Sequence, residues 1–248
     1  MYITPSIYKP GALKSMKLGG NSNFGASTDT GFGFKYEADN GFGFATNLVS
    51  KGSDGYSTAL GLLGASDISK WDTQVAYTTD RWHISATLSD AQNWTSHAYN
   101  ATAAGYSVGS KTTSSGDTTG YALRGYWMPE ESGTAVPEIS VGYDTKTADT
   151  PNSGAGKEAD SYFVGLTWKD MFQADDRIGI AFTQPLKQTE CSGTCSTTEV
   201  DPLVWEAYYA FKPNDSMEVR PAIFGGTDVE DSTADDIFGA VLTTTFKF

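Results

Sequence analysis

Nothing in these 248 residues reads as a membrane-spanning helix: no apolar run approaches the roughly 20 residues that crossing a bilayer as an α-helix requires. That excludes a helical membrane protein but not a barrel. A closed barrel satisfies its backbone between strands and presents apolar side chains to lipid only at every second residue. A mean hydropathy of −0.34 is compatible with that alternation, because averaging hides it. Basic residues are also few, 17 against 30 acidic ones, and the formal net charge is −13. Nucleic acid is therefore not an expected partner, since binding phosphates needs a basic face. Histidine is scarcer still, limited to His83 and His97, and no serine sits in a nucleophile-elbow motif. Without a nucleophile and a positioned base the chain is not expected to be an enzyme, and no cofactor is implied.

Cysteine is nearly absent as well. Cys191 and Cys195 stand in Glu190-Cys191-Ser192-Gly193-Thr194-Cys195, with no His or third Cys beside them, so a metal site is disfavoured. Two readings remain: a disulfide closing this small loop in an oxidising exterior, or two thiols. The even count and Gly193 favour the disulfide. The N-terminal Met1-Tyr2-Ile3-Thr4-Pro5 lacks the basic n-region and apolar h-region of a signal peptide. For an exported protein this predicts either a mature form or a fragment with an initiating Met.

What the sequence has in abundance is glycine, aromatics and a period of two. Counting back from the end, Phe248, Phe246, Thr244, Leu242, Ala240 and Phe238 share one face, and Lys247, Thr245, Thr243, Val241, Gly239 and Ile237 share the other. The same rhythm fills 31–38, 41–49, 71–78, 81–89, 119–127, 137–145, 160–168, 177–184, 203–211 and 216–225. Period-two segments of eight to ten residues are half-exposed strands, and there are about eleven of them. One face of each carries Trp, Tyr, Phe, Ile, Leu and Val; the other carries mostly Gly, Ala, Ser, Thr and single charges. A soluble β-sandwich also alternates, with its apolar face inward. Here the aromatics, among them Trp82, Trp127, Trp168, Trp205 and Phe211, gather near strand ends, which favours lipid outside and water inside.

Connection lengths alternate. Asp39-Asn40-Gly41, Thr79-Asp80-Arg81 and Lys212-Pro213-Asn214-Asp215 suit tight turns. Stretches 128–136 and 169–176 are of middle length, and 90–118, 146–158, 185–201 and 226–235 are long. Outer-membrane barrels have short periplasmic turns and long external loops, and this alternation fits a C-terminal strand ending on the periplasmic side. The apolar run Ala59-Leu60-Gly61-Leu62-Leu63 would break that parity as a strand, so 51–69 is placed in an external loop. Residues 1–30 are expected to be an extracellular or pore-constricting segment, and 31–248 the barrel. An odd strand count predicts either a further strand from residues 1–9 or strands missing upstream; missing strands are favoured, because bacterial single-chain barrels use even numbers.

The stretch from Leu203 through Trp205, Glu206, Tyr208, Tyr209, Phe211, Pro213, Asn214 and Asp215 to Arg220 and Pro221 pairs an aromatic strand and an Asn-Asp turn with a strand carrying Pro. With Asp235-Asp236-Ile237-Phe238-Gly239-Ala240 and Thr244-Thr245-Phe246-Lys247-Phe248 it resembles the cyanobacterial outer-membrane porins. These are often described as iron uptake porins and grouped with carbohydrate-selective porins. Gly31 to Leu48 is similar to that family's Gly-aromatic strand, Asp turn and following strand. The terminal Phe resembles the signal by which barrel-assembly machinery reads outer-membrane proteins. The resemblance implies a transmembrane antiparallel β-barrel in the cell outer membrane, passing small hydrophilic solutes and ions, iron among them, by diffusion. Restoring about five strands would give sixteen, a common porin number. The family's surface-layer-homology domain and coiled coil are not in this sequence. A homotrimer is expected from porins at large.

Pore-lining candidates on the polar faces are Lys35, Glu37, Asp72, His83, Arg124, Glu138, Asp144, Glu206, Glu218 and Arg220, with Lys247 at the end. They either set ion preference or simply keep the wall wet. Lys9, Lys14 and Lys17 form a candidate constriction, against the alternative of an unstructured end. Asp228, Glu230, Asp231, Asp235 and Asp236 match no calcium-loop spacing and read as a solvated loop. No cluster of His, Cys and carboxylates marks an iron site. The competing functional readings are a structural or adhesin barrel and a soluble β-rich binding protein, neither with channel activity.

Overall fold

A computed structural model describes residues 30–50, 69–92, 101–103, 106–108, 117–149, 156–193, 203–228 and 236–247. Among these the chain is all-β. The strands are β1 (Thr30–Glu37), β2 (Phe42–Ser50), β3 (Ser69–Thr78), β4 (Trp82–Gln92), β5 (Ala101–Ala103), β6 (Tyr106–Val108) and β7 (Thr118–Trp127). They continue with β8 (Glu138–Ala148), β9 (Gly156–Lys169), β10 (Arg177–Cys191), β11 (Leu203–Asn214), β12 (Met217–Thr227) and β13 (Ile237–Phe246). One 11-stranded sheet runs β1-β2-β3-β4-β7-β8-β9-β10-β11-β12-β13, every pair antiparallel and joined in chain order. The small β5–β6 hairpin stands apart, inside the stretch 90–118 that was expected to be loop throughout. Among the described residues β1 pairs only with β2 and β13 only with β12, so the sheet is open along these two edges.

The tight turns form where short polar side chains hold the backbone. Gly41 (φ 88°) donates to the Ala38 carbonyl at 3.0 Å, and Asn40 Oδ1 accepts from Phe42 N–H at 3.1 Å. Only glycine fits here, because a Cβ would strike the Thr78 carbonyl oxygen. Thr79 Oγ1 accepts from Trp82 N–H at 3.0 Å, and Asn214 Oδ1 from Ser216 N–H at 3.0 Å.

All eleven sheet strands lie where the alternation put them, but several run further, β4 to Gln92 and β11 to Asn214 among them. β8 extends to Ala148, β9 begins at Gly156 and β10 ends at Cys191, so parts of 146–158 and 185–201 are strand rather than loop. The ladder between β9 and β10 persists through register shifts at Gln184/Lys187, Gln188/Glu190 and Glu190/Cys191, aided by a Lys157–Glu190 ion pair at 2.8 Å. Backbone pairing continues there although the apolar alternation has stopped. The expected loop at 51–69 falls outside the described residues except for Ser69, which begins β3; residues 1–29 lie outside entirely.

Burial separates the two faces in the sense opposite to a water-soluble sheet. The apolar face is exposed: Phe34, Trp71, Ile84, Tyr121, Leu123 and Leu242 each show more than half of their surface. The polar face is sealed, including Lys70, Asp72, Ser85, Ser89, Arg124, Asp144, Thr183 and Glu206. Large rings also lie on this face: Tyr126 stacks on His83, and three others each sit across from a glycine. Phe163 is paired with Gly142, Tyr208 with Gly179 and Phe224 with Gly239. In all three a Cβ on the glycine would collide with the ring, so the missing side chain is what lets the ring lie down on the wall. Ala181, Tyr208, Ala210 and Ala222 pack together on this same face, with Val241 against them.

Candidate functional site on the polar face

The charged residues of the polar face are arranged in ion-paired groups along the strands. On β7 and β8, Arg124 Nη2 donates to Asp144 Oδ2 at 2.6 Å, and Ser161 Oγ of β9 donates to the same oxygen at 3.3 Å. Arg124 Nη1 also reaches the carbonyls of Leu123 (3.1 Å) and Tyr143 (3.3 Å). Its guanidinium lies 5.3 Å from the centre of the Phe163 ring. Gly142 stands between them, and any side chain there would meet both groups.

A second group spans β10 and β12. Glu218 accepts from Arg177 Nη2 at 2.5 Å through one oxygen and from Arg220 Nη2 at 2.8 Å through the other. Arg220 lies over the Tyr208 ring at 5.9 Å. Further pairs are Lys70–Asp72 at 3.6 Å, both deeply buried, Lys169–Glu138, and the exposed Lys35–Glu37 at 2.5 Å on the edge strand β1. His83 shares a 2.8 Å hydrogen bond with Thr78 through Nδ1 and stacks on Tyr126, with ring centres 5.5 Å apart. Glu206 is fully buried opposite Ala181 and Phe224.

All ten lining candidates therefore sit on one face. Glu206 and Arg220, which flank the same turn in sequence, are not brought together: Glu206 faces Phe224 while Arg220 faces Thr243 and pairs with Glu218. Sequence reasoning missed Lys70, Lys146 and Lys169, at strand ends beyond the clear alternation, and Arg177, the first residue of its strand. The signal available was parity, since each shares its odd or even number with a polar-face residue of its own strand, Asp72, Asp144, Thr167 and Gly179 respectively. Lys9, Lys14, Lys17, His97, Cys195, Glu230, Asp231 and Asp235 lie outside the described residues, so neither the constriction nor the Cys191–Cys195 pairing is placed. Among the described residues no group of His, Cys, Asp and Glu could hold a metal ion.

At the short-turn end, neighbouring connections are laced together. Arg81 reaches from the β3–β4 turn to the Met128 carbonyl (3.1 Å) and Glu130 (3.3 Å). Gly133 N–H donates to the Lys169 carbonyl at 2.8 Å, and Lys212 Nζ to Asp175 at 2.9 Å. The buried carboxylate of Asp176 organises the β9–β10 turn. It accepts from the backbone of Met171 (2.8 Å), Phe172 (3.0 Å) and Gln173 (3.1 Å) and from the Tyr209 hydroxyl (3.0 Å). Burial pushes its pKa up, but these four donors outweigh burial and hold it below the usual carboxylate range.

No protein-family model matches this sequence, and no curated protein matches it.

Proposed function

We propose that this chain forms the wall of an outer-membrane β-barrel porin that passes small hydrophilic solutes and inorganic ions by diffusion. The inversion of the two faces carries the reading. Leaving a large apolar side chain in water forgoes about 1.5–3 kcal/mol of burial, and the apolar face exposes them on every strand of the sheet. Lipid outside removes that deficit. On the other face, Ser85 Oγ, His83 Nε2 and Arg124 Nε are sealed with no protein partner among the described residues. In a dry core such atoms cost about 1–3 kcal/mol each, and more when charged; ordered water held against the wall would satisfy them. Closure into an even-stranded barrel requires further strands between β13 and β1, for which sixteen in total is the proposed number.

Under this reading Lys35, Glu37, Asp72, His83, Arg124, Glu138, Asp144, Glu206, Glu218 and Arg220 line the lumen. The likeness to cyanobacterial porins adds iron among the solutes and a homotrimer as the assembly, and no catalysis is assigned. One observation favours a second reading, a non-conducting structural barrel: Asp72, Asp144 and Glu206 are almost wholly sealed, as they would be in a plugged lumen. Purified chain folded in detergent and added to a planar bilayer separates the two. Stepwise, long-lived currents support the porin. Their absence from folded protein that requires detergent for solubility supports the structural barrel, and solubility without detergent would sink both.

A further inference from the structure

We infer that Lys146 is the anion-binding and charge-selecting residue of the proposed pore, with a small inorganic anion, chloride in the simplest case, as its ligand. The inference rests on the pore reading and adds a residue and a ligand class to it. Every other buried cation on the polar face of the strands, among those whose side chains are described, has a carboxylate within salt-bridge distance; Glu218 and Asp144 serve the arginines, and Asp72 serves Lys70. Lys146 has none. It is 3% exposed, and among the described residues its Nζ has no hydrogen-bond or ion-pair partner. An ammonium sealed in a dry interior without a counter-charge is strongly unfavourable, so Lys146 keeps its charge there only with an anion beside it.

The surroundings suit an anion. The residues directly across from Lys146 are Gly120 on β7 and Ala159 on β9, so no side chain larger than a methyl opposes it on either neighbouring strand. The nearest acid on its own strand face, Asp144, already holds Arg124 at 2.6 Å and Ser161 at 3.3 Å through one oxygen. A single fixed cation in a confined aqueous lumen lowers the free energy of anions there and raises that of cations, while binding weakly enough to release. The overall charge of −13 obscures this, because the acidic excess is not carried by the polar face of β7 and β8 around Lys146.

Two measurements test the site. In detergent-folded protein, the chloride-35 NMR line should broaden, and the broadening should be lost in Lys146→Gln and kept in Lys146→Arg. Equal broadening in all three overturns the site. In a planar bilayer under a KCl gradient, the reversal potential should shift toward cation preference in Lys146→Gln, further in Lys146→Glu, and stay in place in Lys146→Arg. An unchanged reversal potential in conducting Lys146→Glu overturns the selecting role. Absence of current from the wild type would count against the pore alone, because the line width decides the anion site without conduction.

Discussion

Ser140 and Val141 are neighbours on β8, yet Ser140 is 4% exposed and Val141 is 45% exposed. The contrast repeats on strand after strand. In water the serine would belong outside and the valine inside; under the proposed pore reading the two faces of one sheet meet two different solvents. The apolar face is built from large side chains in loose aromatic pairs, such as Phe34 with Phe44 and Trp82 with Trp127. The polar face is built from interlocked groups: an arginine, its carboxylate, a ring and the glycine beneath it. One face asks only to be apolar, whereas the other asks for particular partners at particular registers.

The strongest way to break the comparison uses Leu242, 67% exposed on the apolar face, and the adjacent half-buried Thr243 on the polar face of β13. In lipid vesicles Leu242→Arg should lower unfolding stability by about 2–4 kcal/mol, while Thr243→Arg should cost under about 1 kcal/mol. The reverse order in denaturant titrations would place water on the apolar side. Next in size is Gly142→Ala, whose new methyl must displace both the Phe163 ring and Arg124, and which should cost about 1–3 kcal/mol. Gly43→Ala is its control, since the nearest atom to a Cβ there is 3.7 Å away, and the same titration should register little change.

The rim belongs to neither face and gives a pH reference. The pKa of Asp176 is depressed in the folded state, so its contribution is present above the unfolded value of about 4 and is lost as pH falls through the folded value. Asp176→Asn should cost about 1–3 kcal/mol at neutral pH and flatten the acid limb of stability against pH. The smallest expected effect is Asp144→Asn. In a dry core it would strand Arg124 at about 3–5 kcal/mol. With water in the lumen and the Leu123 and Tyr143 carbonyls still accepting, a loss of at most about 1 kcal/mol is expected. A thermal or denaturant measurement near the upper figure would make the polar face dry.

Strand positions and faces were legible because period two is a property of each strand alone. Trp82, Ile84 and Leu88 declare their side of β4 without reference to any other strand. Strand ends were less legible: Lys146 and Lys187 lie where the apolar alternation has ceased but backbone pairing continues. Partners were not legible at all. Arg124 meets Asp144 rather than its directly opposed residue Gly142, and Arg220 meets Glu218 from its own strand rather than Glu206. Such choices depend on side-chain reach across diagonals, which sequence spacing does not encode. The role of Asp176 was hidden for the same reason, since its donors are backbone groups of a loop whose path the spacing leaves open.

The sheet is a meander in which each strand touches only those before and after it, and the β5–β6 hairpin already interrupts the chain between β4 and β7 without disturbing their pairing. Such a wall is modular in the hereditary sense. Deleting or duplicating one adjacent pair of strands leaves every remaining register intact and changes only the number of staves. In the proposed barrel, whose diameter would grow roughly linearly with strand number, a single genetic event of that kind would alter the calibre of the vessel in one step, with no new side-chain chemistry to be discovered.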